Sequence, residues 1–318
     1  MGTHFTKARA GNYFNDLLRD DPVKFFTKYA VSPPDTDRLG YTGDKEGGII
    51  AMPAPEPDMA RLTVDPAKKV AFIKVVKDRP ESIAAKGTDV LSFIASYVND
   101  VGAVPVYWLP WYSVGGIVKL QIDARGVNNP DPNIFFTAAL SGCSIFIQGP
   151  VNSPTVFHAG GETGKKTPTE AAHFWLRAMG QVLPLQPGEH YDAEVNKTDY
   201  VTHPDVSFRE RRQYGNMPLG ERIFGHKVYS TKHARTYQKS LKSELPKDWK
   251  IEVRPWGCVA GIRGAEDGNW KFYLQENATV ICTRGNETRN FARPMALRQM
   301  FPAADAQTCN IRYPVSIP

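Results

Sequence analysis

Between residues 104 and 160 the chain passes through five short stretches rich in β-branched and aromatic residues: VPVYWLPWY, GGIVKLQIDA, IFFTAAL, CSIFIQG and TVFHA. Gly, Pro, Asn and Ser lie between them, so each stretch is too short for a stable helix and has the composition of a strand closed by a turn. KVAFIKVV precedes them, and KIEVRPWGCVAGIR, NWKFYLQE and ATVICTR follow, the last two read as separate strands divided by a short polar break. Helical signals are fewer. GNYFNDLLRDDPVKFFTKYA reads as one or two short helices interrupted at Pro22, and TDVLSFIASYVNDV as a helix that Thr88 caps. TPTEAAHFWLRAMGQV carries the clearest start, with Thr167 at the cap, Pro168 in the first turn and Glu170 three residues after the cap. Strands dominating over scattered helices give an α+β fold around a mostly antiparallel sheet or β-sandwich. The stretch VSPPDTDRLGYTGDKEGGIIAMPAPEPDMA keeps no periodicity, which sets a boundary near residue 60. Residues 1–60 form an N-terminal helical segment with a Pro/Gly-rich connector, and residues 61–318 the main domain.

Composition excludes several functions. With 42% hydrophobic residues in 318, the chain can bury a large core, yet no apolar run approaches the length of a membrane span. The opening MGTHFTKARAGNYF lacks the apolar centre of a secretory signal, so export, where it occurs, is expected by a route without a cleaved signal peptide. Cys143, Cys258, Cys282 and Cys309 form no CxxC pair, and no HExxH occurs, so neither a metal nor a cofactor is expected, and the thiols are read as reduced. AGGETGKKT fails as a phosphate loop because Ala159 and Lys166 stand where a Walker motif needs Gly and Ser or Thr; its glycines are read as a turn into the next helix. The segment GERIFGHKVYSTKHARTYQKSLKSELPK is basic, with Tyr229 and Tyr237 interleaved. Without a recognised nucleic-acid module around it, it reads as a solvated face that steers an acidic partner or an anionic membrane surface.

The stretch ALSGCSIFIQGPVNSPTVFHAGGE places Cys143 and His158 fifteen positions apart, on either side of a turn. If Pro150 and Val151 occupy the centre of that turn, Ile145 faces Val156 and Cys143 faces His158. A shift of two leaves thiol and imidazole diagonal neighbours, and an odd shift sends them to opposite faces. An imidazole beside a thiol promotes the thiolate that attacks a carbonyl, and Gly142 lets the backbone approach that carbonyl so that an N–H at Cys143 or a neighbour binds the oxyanion. Ser141 either shapes this oxyanion site or serves as a plain turn residue. Two classes follow from the residues: a thiol enzyme, such as a cysteine protease or transglutaminase using this pair, or a basic binding protein that depends on Lys232, Arg235 and Lys239 and has a structural hairpin.

LSGC followed by a histidine in TVFHAGG resembles the catalytic signature of the cytotoxic necrotizing factor family of bacterial toxins, which includes the Burkholderia lethal factor type. The resemblance covers about two dozen residues. It implies a β-sandwich flanked by helices and loops, glutamine deamidation with Cys143 as nucleophile and His158 as general base, and a backbone carbonyl that orients the histidine. Thr137 is the candidate for that carbonyl, or a residue farther upstream near LPWYSVGG. It further implies a monomeric secreted effector acting in the target-cell cytoplasm on a host protein, either a Rho-type small GTPase or a translation-initiation helicase.

Overall fold

Alternate residues of the strands are buried on opposite faces, which sets the order of the layers. The structure is a computed structural model and describes residues 13–32, 63–64, 69–77, 91–96, 99, 101–109, 116–128, 130–137, 140, 143–160, 168–187, 189–200, 237–302 and 308–310. In chain order the helices are α1 (13–20), α2 (Pro22–Lys28), α3 (Pro168–Val182), α4 (Lys197–Tyr200) and α5 (237–244). The strands are β1 (Val31–Ser32), β2 (Thr63–Val64), β3 (Val70–Lys77), β4 (Leu91–Ser96), β5 (Val104–Leu109), β6 (Gly116–Gln121) and β7 (Ile134–Thr137), then β8 (Ser144–Gln148), β9 (Thr155–Gly160), β10 (Ala193–Val195), β11 (Lys250–Arg263), β12 (Trp270–Arg284), β13 (Glu287–Phe301) and β14 (Thr308–Asn310).

Nine strands form one sheet in the order β1-β4-β3-β5-β7-β11-β12-β13-β14, and five form a second in the order β10-β8-β9-β6-β2. Pairing is antiparallel except for β1 with β4, β2 with β6 and β5 with β7. The sheets share a core in which Tyr107, Leu109, Phe135, Phe272 and Leu274 of the large sheet meet Val118, Leu120, Ile145, Ile147 and Val156 of the small one. Neighbours on the same strands, Val106, Trp108, Phe136 and Ala260, face the other way and pack against Leu18, Phe25 and Phe26 of the N-terminal helices. On the far side, Phe146, Phe157 and Ala159 of the small sheet pack on Phe174, Trp175, Ala178 and Met179 of α3. Each such phenylalanine stabilises the stack by roughly 2 kcal/mol through burial. The molecule is therefore an α+β sandwich with helices outside both sheets, as the strand-rich sequence implies.

The N-terminal helices belong to this stack. Asp21 caps α2 by accepting from the Lys24 N–H, Gln275 donates to the Phe26 and Tyr29 carbonyls, and Asn15 accepts from the Val75 N–H. The connector beyond residue 32 lies outside the described residues up to β2. Thr167 also lies outside them, while α3 begins at Pro168 as its start signal implies.

Three readings are corrected. TDVLSFIASYVNDV is not a helix: Leu91–Ser96 is a strand held between β3 and β1, with Leu91 and Phe93 buried at a spacing of two, so tertiary pairing overrides a helical pattern. The polar break between NWKFYLQE and ATVICTR does not interrupt the strand. Gln275, Glu276 and Asn277 are buried within continuous β12, the register shifts at Glu276/Asn277, and the polar groups find partners such as Arg298 for Glu276 and Gln275 for Asn277. The third is the hairpin. Ile145 faces His158 and Ile147 faces Val156, a shift of two from the expected register. The cause is the turn: the Ser153 N–H donates to the Pro150 carbonyl, so Val151 and Asn152 are central. The Val151 carbonyl is also committed to the Trp270 N–H of the opposite sheet. The strand β13 answers to no expectation; it follows a tight turn at Gly285, whose φ of 55° suits glycine.

Candidate active site

The even shift keeps Cys143 and His158 on the inner face of the small sheet. Cys143 immediately precedes β8, and continuing the register places it opposite Gly160, with His158 as its diagonal neighbour. A Cβ at position 160 would stand 2.7 Å from the Cys143 Sγ and 3.4 Å from both Cδ2 and Nε2 of His158. Sulfur and imidazole therefore border the same small volume above the Gly160 Cα, and that volume exists because residue 160 has no side chain. Gly160 is a strand residue and not the turn glycine that AGGETGKKT suggests.

The opposite sheet orients the histidine. Thr137, at the end of β7, places its Oγ1 2.6 Å from His158 Nδ1 and donates at 2.8 Å to the Leu109 carbonyl of the neighbouring β5. A hydroxyl has one proton to give, so with that proton directed at Leu109 it accepts from His158 Nδ1–H. This network assigns the proton to Nδ1 and leaves a lone pair on Nε2. That nitrogen is fully buried and has no hydrogen-bond partner among the described residues. Burial lowers the pKa of His158 to about 3, so the ring is neutral in the resting protein.

Of the two places expected to orient the histidine, Thr137 is in contact with it, but through its side-chain hydroxyl and not its carbonyl. The carbonyl in the chain of contacts belongs to Leu109, the first residue of LPWYSVGG. Ser141 and Gly142 lie outside the described residues, but the loop that contains them is fixed at both ends. Leu140 exchanges two hydrogen bonds with Gly257 of β11, at 2.7 and 3.1 Å, and the Cys143 carbonyl accepts from the Tyr200 hydroxyl at 2.7 Å. Cys143 retains 5% exposure and His158 none.

The sequence reading passed over Gly160, Leu109, Gly257 and Tyr200. For Gly160 a signal existed, since the shift of two it allowed places a glycine opposite Cys143. Tyr200 lies 57 residues beyond Cys143, with no pattern linking them.

Of the basic segment, Lys232, Arg235 and Tyr229 lie outside the described residues. Lys239 is exposed on α5, whereas Tyr237 is packed in the core with Leu241, Val280 and Met295, so its ring is not presented to a partner. Among the described residues no helix is long and apolar enough to cross a membrane, and no group of three His, Cys, Asp or Glu side chains is placed to hold a metal ion. No protein-family model matches the chain, and a search of curated proteins finds no relative.

Proposed function

We propose that the protein is a cysteine-dependent protein glutamine deamidase, converting a glutamine side chain of a partner protein to glutamate through a thioester. The observation that carries this reading is that the Cys143 sulfur and His158 Nε2 border one space above Gly160, with Thr137 holding the far side of the ring. A nucleophile, a base and an orienting group in series are the requirements of thiol acyl transfer. The narrow exposure at Cys143 favours a slender carboxamide side chain over a main-chain peptide bond as the group that enters. The likeness of LSGC and the following histidine to the necrotizing factor toxins favours the same reaction, and with it an effector acting in the cytoplasm of a target cell.

In this reaction the Cys143 thiol passes its proton to His158 Nε2 as its sulfur bonds to the glutamine Cδ. The Cys143 backbone N–H is the donor that would hold the oxyanion that forms. Collapse breaks the C–N bond, and ammonia leaves with the proton from His158. Water then attacks the thioester and gives a proton to the same nitrogen; the C–S bond breaks, the sulfur recovers its proton and glutamate is released. His158 works as a neutral base throughout the resting state, and Thr137 orients it without the charge that a carboxylate would supply.

The test is quantitative peptide mass spectrometry of eukaryotic cell lysate treated with the wild-type protein or with Cys143→Ala. A Gln-to-Glu conversion that appears with wild type and is absent with Cys143→Ala is the expected result. Chain cleavage or amine cross-linking in its place would overturn deamidation.

A further inference from the structure

The small sheet ends beside the nucleophile in a way that needs a substitute for a strand. β10 pairs with β8 through Val195 opposite Ile145, and continuing that register would place residue 197 opposite Cys143. The last pair is Val195 with Ile145, and Lys197 already belongs to α4, so the ladder stops two residues before the nucleophile. The last residue of that helical turn, Tyr200, is 1% exposed and donates its hydroxyl to the Cys143 carbonyl. α4 is itself fixed: Asp199 accepts from the Asn196 N–H through its carboxylate and donates its own N–H to the Asn196 carbonyl.

The tyrosine ring has its own seat. A Cβ on Gly257 would lie 3.2 Å from both Cβ and Cγ of Tyr200, so the ring lies against the backbone of β11 at the residue that holds Leu140. Leu140 begins the LSGC loop and Cys143 ends it. Both ends of the loop are therefore fixed at one place in the large sheet, the first through Gly257 directly and the second through Tyr200.

We infer that Tyr200 is a positioning residue for the Cys143 nucleophile: its hydroxyl replaces the missing strand neighbour and fixes the peptide that directs the sulfur toward His158. The inference rests on the thiol reading of Cys143 given above. A hydrogen bond on the carbonyl sets the backbone rotation at Cys143, and that rotation aims both the sulfur and the residue's own N–H. Without the hydroxyl the carbonyl loses this hydrogen bond, and the peptide is released to turn toward another donor. The ring's packing against Gly257 is separable from this, because phenylalanine keeps the ring and loses only the donor.

The experiment compares the rate at which iodoacetamide modifies Cys143 across the neutral pH range in the full-length wild type, Tyr200→Phe and Gly257→Ala, read by peptide mass spectrometry. Tyr200→Phe is expected to slow modification about tenfold and to shift its pH midpoint, while keeping a cooperative unfolding transition. Gly257→Ala, which crowds the ring without removing its hydroxyl, is expected to move rate and midpoint in the same direction by less. A folded Tyr200→Phe with the wild-type rate and midpoint would overturn the inference. If that variant does not fold, an unchanged profile for Gly257→Ala does so. Alkylation needs no protein substrate, so failure of the wild type to deamidate anything sinks the deamidase reading and leaves this comparison intact.

Discussion

Cys143 and Cys258 each follow a glycine in the sequence, one just before β8 of the small sheet and the other within β11 of the large one, and they differ in what surrounds the sulfur. Cys258 is fully buried in the core beneath the N-terminal helices, donates to the Gln275 Oε1 at 3.2 Å, and has its pKa pushed up to about 12 by burial. Its proton has an acceptor that does not take it. Cys143 sits in an equally apolar cluster, but an imidazole nitrogen with a lone pair borders the same space above Gly160 as its sulfur. Burial alone therefore does not make a thiol inert. The kind of acceptor and the room to react decide it.

That contrast breaks most sharply at Gly160. In Gly160→Ala the new methyl would stand 2.7 Å from the Cys143 sulfur, which relieves the clash by swinging to another rotamer at little cost to the fold. Deamidation is expected to fall about a hundredfold, since a nucleophile displaced by about 1 Å loses that much, with little change in thermal unfolding. Retained activity would mean that the sulfur does not need the space above residue 160. Thr137→Val tests the other end of the site. Valine keeps the volume but leaves His158 Nδ1–H without its acceptor, and about a tenfold loss of activity is expected, with the pH–rate profile shifted. An unaltered profile would assign Thr137 to packing alone.

A third test lies in the pH dependence of stability. His158 falls from 6.5 to about 3 on folding, so between those values the unfolded chain takes up a proton that the folded protein refuses. Its contribution is complete above pH 6.5 and is lost as the pH drops toward 3. Glu276 acts in the opposite sense. Burial raises it from 4.5 to about 7 against the pull of Arg298, so its contribution favours the folded state at low pH and is lost as the pH rises through 7. Thermal unfolding of His158→Gln between about pH 4 and 7 is expected to lose the acid-side decline. A wild-type slope in that variant would show that His158 does not titrate across this window.

The sequence made the hairpin legible because β8 and β9 are short runs rich in β-branched and aromatic residues on either side of a Pro, Asn and Ser turn, and an even register was enough to bring Cys143 and His158 to one face. It did not reveal the register itself. Pro150 suits the second position of a turn, and its displacement to the first depends on contacts of Val151 with β12, more than a hundred residues away. The same limit hides Tyr200 and Leu109, whose roles arise from where strands end and not from any local pattern. In β12 the residues Gln275, Glu276 and Asn277 imitate a loop because their burial is matched by distant partners, among them Arg298 and the carbonyls of α2 and its cap. Local chemistry named the candidate pair, and long-range pairing supplies the geometry that brings it together.

The most direct test of the central claim is to treat the folded protein with iodoacetamide at neutral pH and follow Cys143 and Cys258 in the same sample by peptide mass spectrometry. The account predicts that Cys143 is modified in the native protein and loses that reactivity in His158→Ala, while Cys258 is modified only after unfolding. Equal protection of both cysteines until unfolding, or a Cys143 rate unchanged by His158→Ala, would contradict it.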